Sequence, residues 1–547
     1  MKKWDLQSHS KVKKPADVLK LILQNRNIKT KKEIKEFLNP RLSNITVQNV
    51  GIDKKELGRT VDRIKKAIKN GEQIIIFGDY DVDGITGAAI LWETLNAQNA
   101  RVLPYIPHRI DEGYGLSKVG IQNLESKVEN IKLIITVDNG IVANEAVNFA
   151  NEKGIDVIIT DHHVPSKNKP FSYSIVHTTK LCGAGVAYML AQEFKPEGNN
   201  HLELVALASI ADLVPLTGAN RTLTKFGLEK LSQTQRLGLL ELFKESGLDK
   251  KTIGTYEVGH IIAPRLNAMG RLESGMDSLR LICTKNINRA KELARKLSST
   301  NSERQNITQK TVFEALAQVK IKKTQSDRLL FVAHESYQQG VIGLVAGKLV
   351  EEYYLPSIVV SKGDVISRAS ARSISGLNII EFIRSASDLL VDAGGHPMAA
   401  GFTVETAKLE LVQKRLEELA QTAVTKKMLN QTLRIDCELS GDSINPKLYD
   451  EIEKLQPFGM GNPTPTFMTK KLVVEDLKTV GFDGKHLKFK FSISPQLTID
   501  GIWFGGGDKA SDFKAGNKVD IVYTIDQDLW NGNKRLQLKI KDLKVFN

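Results

Sequence analysis

The chain has 547 residues, 77 of them Lys or Arg and 63 Asp or Glu, which gives a formal net charge of +14. This length predicts roughly three or four domains, and the positive charge favours polyanionic partners through phosphate contacts. No apolar run approaches the ~18 residues of a membrane-spanning helix, and residues 1–5 lack the apolar core of a secretory signal. The lack of such a run also predicts that a membrane is not a partner. The three cysteines, Cys182, Cys283 and Cys437, are far apart and odd in number, which argues against a disulfide framework and predicts a cytoplasmic protein.

The first part of the chain predicts helices and then an alternation of strands and helices. Residues 1–50 are rich in Lys and predict a small helical lead-in, and residues 53–70 predict a helix. Strands are then predicted at 74–77, 101–106, 132–137 and 155–160, with helices at 86–95 and 144–152. The strand runs are continuously apolar, as in strands buried on both faces of a parallel sheet. The predicted fold is therefore a doubly wound α/β domain, in which ligands bind beyond the carboxyl ends of the strands.

Three aspartates at alternate positions, Asp79, Asp81 and Asp83, follow the first of these strands. Carboxylates this close repel one another unless a cation joins them, and hard divalent cations take oxygen ligands readily. A calcium-binding loop would need a Glu at its twelfth position, where this chain has Ile90. A solvated acidic turn is the other alternative, and the pattern favours a metal site at the end of a strand.

Two further strands end in the same way. Asp138 follows the apolar run 133–137, and the triplet Asp161, His162 and His163 follows the run 157–160. A solvated turn explains one such ending more easily than three at one edge of one sheet. Adjacent histidines in an extended segment point in opposite directions, so we expect only one to be a direct ligand. Mixed Asp and His ligands suit Mn²⁺ better than an all-oxygen calcium site.

These three segments resemble the first three motifs of the DHH phosphoesterase superfamily, and the spacing and later segments resemble its RecJ branch, the single-strand-specific exonucleases. The resemblance covers residues from about 50 to the C-terminus. It implies two divalent ions, Mn²⁺ or Mg²⁺, held by Asp81, Asp83, Asp138, His162 and Asp212, with Asp79 nearby. Asp212 closes the apolar stretch 204–211, and pattern alone does not assign it to the cluster.

Two of these residues are candidates for catalytic roles, His163 because it stands beside a candidate ligand. Asp138 is the candidate bridging ligand of the two ions, and His163 is the candidate contact with the scissile phosphate. Some members of the superfamily carry a His four residues before the middle aspartate, where this chain has Phe77. Asp79 or water would then complete the coordination of the first ion.

Several other segments are candidates for substrate binding. Arg109 follows a strand end and is either an ordinary surface arginine or, as the resemblance implies, a ligand of the terminal 5′-phosphate. Arg265, Asn267 and Arg271 belong to a segment that matches the RecJ pattern and would line the path of the strand. The Gly-rich segment 181–187 predicts a helix start, with close helix packing at least as probable as anion binding.

A long helix at 286–320 is predicted to bridge two lobes, most of its charged residues forming a solvated face. The second lobe begins near residue 328, and two of its segments resemble the DHHA1 signatures of the family. The resemblance implies that Ser370, Arg372 and His396 face the metal site across a cleft. From near residue 430, short alternating strands with one apolar and one largely basic face predict a small β-barrel such as an OB-fold. Phe482, Trp503 and Trp530 are its candidate stacking platforms, with a core role favoured for at least one.

The predicted organisation is a lead-in at 1–50, a DHH domain at 51–285, a connecting helix at 286–325, a DHHA1 domain at 326–428 and an OB-like domain at 429–547. The resemblance implies a metal-dependent 5′→3′ exonuclease that hydrolyses single-stranded DNA to 5′-mononucleotides in repair and recombination. A helicase or a single-strand-binding protein is the candidate protein partner. The alternatives are a phosphodiesterase acting on short oligonucleotides or cyclic dinucleotides, a non-catalytic scaffold, and a purely nucleic-acid-binding protein.

Overall fold

A computed structural model describes residues 2–9, 14–109, 111–194, 201–322, 328–494, 497–528 and 535–545. The chain forms two compact units. We call residues 53–211 and 230–431 the core unit, and residues 1–52, 212–229 and 432–547 the barrel unit. Within the described ranges, no helix combines the length and the apolar character needed to cross a bilayer.

The N-terminal segment contains a strand as well as helices. Its elements are β1 (Lys3–Leu6), α1 (Pro15–Asn25), α2 (Lys31–Leu38) and α3 (Val47–Val50). β1 runs parallel to residues 432–435, with Trp4 and Leu6 packed against a small apolar cluster around Ile435. The predicted helical lead-in is therefore incomplete, because a four-residue strand that pairs with the far end of the chain leaves no local signal.

The first sheet of the core unit is parallel, as predicted. Its strands are β2 (Gln73–Gly78), β3 (Val102–Tyr105), β4 (Ile131–Val137), β5 (Asp156–Asp161) and β6 (Ser174–His177). They lie in the order β3-β2-β4-β5-β6, and every neighbouring pair is parallel. The carboxyl ends of β2, β4 and β5 therefore meet at one edge.

Helices connect these strands and cover the sheet. They are α4 (Lys54–Lys69), α5 (Val82–Ala97), α6 (Lys118–Glu125), α7 (Asn144–Glu152), α8 (Gly183–Gln192) and α9 (Leu202–Ala211). α5 begins four residues before the predicted start at Thr86, because Asp81 caps it: Oδ1 of Asp81 accepts hydrogen bonds from the backbone N–H groups of Asp83 and Gly84.

A helical region follows. It comprises α10 (Gly218–Leu231), α11 (Leu237–Glu245), α12 (Thr255–Glu257), a π-helical turn (Val258–Ile262), α13 (Ala263–Leu272), α14 (Met276–Cys283) and α15 (Ile287–Lys322). α15 is the long helix that the sequence predicts.

The second sheet of the core unit has the strands β7 (Leu330–His334), β8 (Ser357–Ser361), β9 (Ile366–Arg372), β10 (Asp392–His396) and β11 (Ala399–Glu405). Their order is β10-β11-β9-β8-β7, with only β7 and β8 parallel. The helices α16 (Ile342–Tyr353), α17 (Ile379–Arg384) and α18 (Leu409–Ala423) pack with these strands.

The C-terminal part of the barrel unit contains β12 (Thr432–Ile435), β13 (Cys437–Glu438), α19 (Pro446–Glu453), β14 (Phe467–Val480), β15 (His486–Ser494), β16 (Leu497–Trp503), β17 (Lys518–Asp528) and β18 (Arg535–Val545). β14 pairs with both β15 and β17, so five strands close into a barrel. This confirms the predicted OB-like fold. Apolar residues of α1, among them Ile22 and Leu23, join its core.

Candidate metal centre

The first aspartates lie where β2 passes into α5. The Asp79 side chain is buried, and the backbone of Gly84 in the first turn of α5 lies against it. A Cβ on Gly84 would stand 2.4 Å from the backbone nitrogen of Asp79, so only glycine allows this approach. The short connection therefore brings Asp79, Asp81 and Asp83 to the end of β2.

Asp83 is held by the start of α8. Its two carboxylate oxygens accept hydrogen bonds from the backbone N–H groups of Gly183 and Ala184, each at 2.6 Å. A Cβ on Gly183 would lie 2.6 Å from Cβ of Asp138. Both alternatives for the Gly-rich segment are thus realised: the helix start packs closely, and the anion at its N-terminus is a side chain of the protein itself.

Asp138 stands directly after β4 in a left-handed backbone conformation, with φ of 64°. Non-glycine residues adopt this conformation at a cost of about 1–3 kcal/mol, and such residues cluster at functional sites. The next residue fixes the turn: Nδ2 of Asn139 donates to the carbonyl oxygens of Val137 and Phe77, and its Oδ1 accepts from the N–H of Leu116. The turn holds the Asp138 carboxylate at the sheet edge.

Asp161, at the end of β5, organises the two histidines that follow it. Its Oδ1 accepts hydrogen bonds from the backbone N–H groups of His162 and His163 and lies 2.8 Å from Nδ1 of His163; its Oδ2 accepts from the N–H of Ile141. Burial opposes its charge, but these hydrogen bonds hold the pKa of Asp161 below its usual value. Asp161 is thus a positioning residue.

The prediction that His162 and His163 point in opposite directions is wrong. Their ring centroids are 4.5 Å apart, because the hydrogen bonds to Asp161 turn the chain at this point. Nε2 of His162 lies 3.1 Å from Oδ1 of Asp138 and 3.6 Å from Oδ2 of Asp83. Nδ1 of His163 lies 3.8 Å from the same Asp138 oxygen, although its hydrogen bond goes to Asp161.

Two groups of side chains in the core unit have the geometry of a metal site. Asp79, Asp81 and Asp138 form one, and Asp138, His162 and His163 the other, each with its donor atoms within 4.8 Å of one another. Burial, followed by the charge of Asp81, raises the pKa of Asp79 well above its usual value, and burial also raises the pKa of Asp83. Oδ1 of Asp79 is buried without a hydrogen-bond partner among the described residues. Crowded carboxylates with such an orphaned oxygen fit divalent cations.

Asp212 directly follows the last residue of α9, and the boundary between the two units falls between Ala211 and Asp212. Its side chain is exposed. Its role as a ligand stays a prediction.

Arginines gather beside the cluster. The guanidinium of Arg109 lies 5.0 Å from the ring centroid of Tyr80, the residue after Asp79. Burial and the charges of Arg109, Arg304 and Arg372 lower the pKa of Arg271 to about 10. Such mutual repulsion between cations is relieved when an anion binds between them. The long helix α15 contributes Arg304, which the sequence did not single out.

The second sheet brings the predicted DHHA1 residues to this region. The ring of His396 stacks on that of His163, with centroids 5.7 Å apart. Nη1 of Arg372 lies 3.4 Å from Oγ of Ser370, and burial together with Arg109 lowers the pKa of Arg372. The structure therefore brings together residues that stand more than 200 positions apart in the sequence.

The predicted strand-path residues of α13 differ in what they contact. Oδ1 of Asn267 accepts a hydrogen bond from the N–H of Val82, so this side chain holds the loop between β2 and α5. Nη1 of Arg271 donates to the carbonyl of Gly340. Arg265 donates to the carbonyl of Ile261 at 2.8 Å, and the described contacts do not link it to the aspartates.

The sequence pattern assigns no role to Tyr114, which the structure places beside His163. Its hydroxyl lies 3.1 Å from Nε2 of His163 and donates to the carbonyl of Asp138 at 3.2 Å. The sequence could have indicated these roles only by position: Tyr114 lies in the segment after β3, and Asn139 directly follows Asp138.

Trp530 lies outside the described residues. Phe482 is 89% exposed, whereas Trp503 packs against the barrel core.

Three family models match the chain: the DHH family, N-terminal domain, at residues 73–215, the DHHA1 domain at residues 326–422, and the RecJ OB domain at residues 435–542. The single-stranded-DNA-specific exonuclease RecJ of Thermus thermophilus is 31% identical to the chain over 522 residues, which cover 93% of this chain and 73% of that protein. This chain belongs to the RecJ family. The RecJ protein of Bacillus subtilis is 37% identical over 503 residues, which cover 90% of this chain and 64% of that protein's length.

Solved RecJ structures agree with this assignment. The crystal structure of Thermus thermophilus RecJ in complex with Mn²⁺ matches with a TM-score of 0.83 and 27% identity, covering 99% of this chain and 79% of that chain. The complex of the same RecJ with Mg²⁺ matches with a TM-score of 0.75 and 26% identity, covering 99% and 78%.

Proposed function

We propose that this protein is a metal-dependent exonuclease that hydrolyses single-stranded DNA in the 5′→3′ direction to 5′-mononucleotides, in DNA repair and recombination. The observation that carries the proposal is the pair of groups at the ends of β2, β4 and β5: Asp79, Asp81 and Asp138 form one, Asp138, His162 and His163 the other, and within each group the donor atoms lie within 4.8 Å of one another. The substrate is the one in the name of the RecJ relatives, single-stranded-DNA-specific exonuclease. The polarity is proposed from the family resemblance of the sequence motifs. The alternative, a phosphodiesterase of short oligonucleotides or cyclic dinucleotides, would not need the barrel.

Two ions, Mn²⁺ or Mg²⁺, would be held at this edge. Asp79, Asp81 and Asp138 would hold one, and Asp138, His162, Asp83 and Asp212 the other, with Asp138 shared. Ions bound in this way lower the pKa of a water molecule and stabilise the attacking and leaving oxygens of a displaced phosphodiester.

The side chains around the ions would orient the substrate. We assign to His163 a contact with the scissile phosphate, because Asp161 and Tyr114 fix its ring from two sides beside Asp138. The ring of His396 stacks on the ring of His163, and His396 would close the site from the second sheet.

The arginine group would bind the terminal 5′-phosphate. The charges of Arg109 and Arg372 help to lower the pKa of Arg271, and the charge of Arg109 helps to lower the pKa of Arg372. Ser370 adds a hydroxyl group beside Arg372. A planar guanidinium suits bidentate contacts with phosphate oxygens. This pocket would select a strand that presents a free 5′ end.

The five predicted ranges would divide the work as follows. Residues 51–285 and 326–428 would carry the chemistry, joined by the connecting helix at 286–325. Residues 429–547 would bind the strand, and residues 1–50 are the helical lead-in. A helicase or a single-strand-binding protein is the proposed protein partner. The cytoplasm is the proposed location, on the basis of three cysteines that are all free thiols.

The test is a time course on end-labelled single-stranded and double-stranded DNA, with Mn²⁺, with Mg²⁺ and with a chelator. The proposal expects release of 5′-mononucleotides from the 5′ end of the single strand only, and none with the chelator. Restored activity on adding Mn²⁺ back controls for damage by the chelator. Release that continues without metal, or that starts from the 3′ end, would contradict it.

A further inference from the structure

An exposed pair of aromatic rings lies on the helical segment that leads to the metal centre. Tyr256 in α12 is 63% exposed, and the ring of His260 stacks on it, with centroids 4.5 Å apart and planes 18° apart. The proposed function assigns neither residue a role. An exposed pair of this kind presents a flat aromatic surface to solvent.

The backbone at this pair is irregular for an identifiable reason. A π-helical turn, Val258–Ile262, stands between α12 and α13, and Pro264 is the second residue of α13. Proline lacks the N–H that the carbonyl of His260 would accept from in a regular α-helix, and its ring crowds that carbonyl. The π turn relieves this conflict, and such turns are frequent at functional sites.

The pair lies on a stripe that ends at the metal centre. Tyr256, His260, Pro264, Asn267 and Arg271 recur at intervals of three or four residues, which places them on one side of the helical segment. The residues on the opposite side are buried: Val258, Ile262, Leu266 and Met269.

Its far end touches the aspartate loop. Asn267 accepts from the N–H of Val82, and Gly270 lies so close to Tyr80 that a Cβ would stand 2.3 Å from its carbonyl oxygen. The stripe therefore runs from the exposed rings to the loop that contains Asp79 and Asp81.

We infer that Tyr256 and His260 form a base-stacking subsite for the single strand whose phosphodiester is cleaved at the metal centre. The inference rests on the proposed function and names a part of its substrate site. Every base offers a face for stacking, so the subsite would accept any sequence. Arg271 at one end and Arg265 near the middle supply the positive charge that a phosphate backbone requires.

The position of the pair sets a length dependence. From Tyr256 to Arg271 the segment rises about 22 Å at 1.5 Å per residue. A stacked strand rises 3.4 Å per nucleotide, so this is about six nucleotides. A dinucleotide bound at the metal centre does not reach the pair, and a long strand does.

The experiment compares Tyr256→Ala with the unaltered protein on a strand of about 20 nucleotides and on a dinucleotide with a 5′-phosphate, in Mn²⁺. The measured quantity is the ratio of kcat/KM for the long strand to that for the dinucleotide. We expect this ratio to fall about 10-fold, as base–aromatic contacts of this kind predict. Tyr256→Phe keeps the ring and should restore the ratio. Phe313→Ala is the matched control, since Phe313 is 76% exposed on α15, away from the stripe.

An unchanged ratio in Tyr256→Ala, or an equal fall in Phe313→Ala, would overturn the inference while the exonuclease activity stands. Absence of metal-dependent release from both substrates in the unaltered protein would overturn the proposed function and this subsite with it. If the ratio falls in Tyr256→Phe as much as in Tyr256→Ala, the hydroxyl group and not the ring is needed, and stacking is overturned.

Discussion

The edge of the parallel sheet and the surface of the barrel both carry many charged residues. At the sheet edge they are buried next to like charges, whereas on the barrel they are more exposed and several lie next to opposite charges. At the sheet edge Asp79, Asp83 and Asp138 are at most 2% exposed and lie beside one another. On the barrel, four lysines that are exposed or half-buried have acidic partners: Lys488 with Asp500, Lys490 with Glu475, Lys470 with Glu438 and Lys539 with Asp526. Buried like charges require a counter-ion, whereas exposed ion pairs contribute little.

This difference changes the interpretation of the barrel. The sequence shows one largely basic face, which predicts a positively charged groove. In the structure neighbouring carboxylates offset several of these lysines. Strand binding by the barrel would therefore depend more on exposed aromatic residues, of which Phe482 is the most exposed.

Asp138→Asn should reduce hydrolysis by at least about 10³-fold, because removing a charged ligand of the metals forfeits several kcal/mol of transition-state stabilisation. Asn tolerates the left-handed conformation of this position, so the fold should be retained. Steady-state kinetics and thermal unfolding check both parts. Near-normal hydrolysis in this variant would show that Asp138 is not a ligand of the catalytic metals.

Asp161→Ala should reduce activity or metal affinity by about 10- to 100-fold, the usual cost of removing a residue that orients a ligand. The variant loses the acceptor of both histidine N–H groups and of Nδ1 of His163. Titration with Mn²⁺, followed by activity, measures the shift. A loss as large as that of Asp138→Asn would mean that Asp161 is itself a ligand.

Phe482→Ala should weaken binding of long single strands about 10-fold, the size of a lost base–aromatic contact. Fluorescence anisotropy with a labelled strand measures the Kd. Leu497→Ala is the matched control on the same barrel, since Leu497 is 49% exposed and not aromatic. Equal weakening in the two variants would indicate a general effect on the barrel and not stacking.

Lys488→Ala should change the same Kd less than about twofold, because Asp500 already offsets its charge at 3.0 Å. The double variant Lys488→Ala, Asp500→Ala should behave like the single one. An increase in Kd as large as that of Phe482→Ala would indicate that a charged groove is the main contact surface for the strand.

Much of the core unit was predictable because its signals are local. The apolar runs ending at Phe77, Val137 and Thr160 identify the parallel strands, and the acids that follow them converge because parallel strands end at the same edge. The family resemblance added His396 and Arg372, which no local pattern could have brought to the same place.

The remainder depends on contacts that sequence patterns do not encode. The roles of Asp161 and Asn139 follow from hydrogen bonds within turns, and Tyr114 matters because its hydroxyl reaches across two loops. The predicted directions of His162 and His163 were wrong for the same reason. The prediction assumed an extended segment, whereas hydrogen bonds to the Asp161 side chain turn the backbone there. The pairing of the barrel lysines depends on cross-strand register, which the sequence does not fix.

The assembly of the barrel unit from three separate stretches has a consequence for how the protein is made. Residues 1–52 are synthesised long before residues 432–545, yet β1 finds its neighbouring strand, and α1 the apolar core that it joins, only among these later residues. At about 5–20 residues per second, the N-terminal helices would wait tens of seconds while the whole core unit is synthesised. During that interval their apolar faces are natural targets for chaperones, and any interruption of translation before the last strand would leave a folded core unit joined to an unfolded leader.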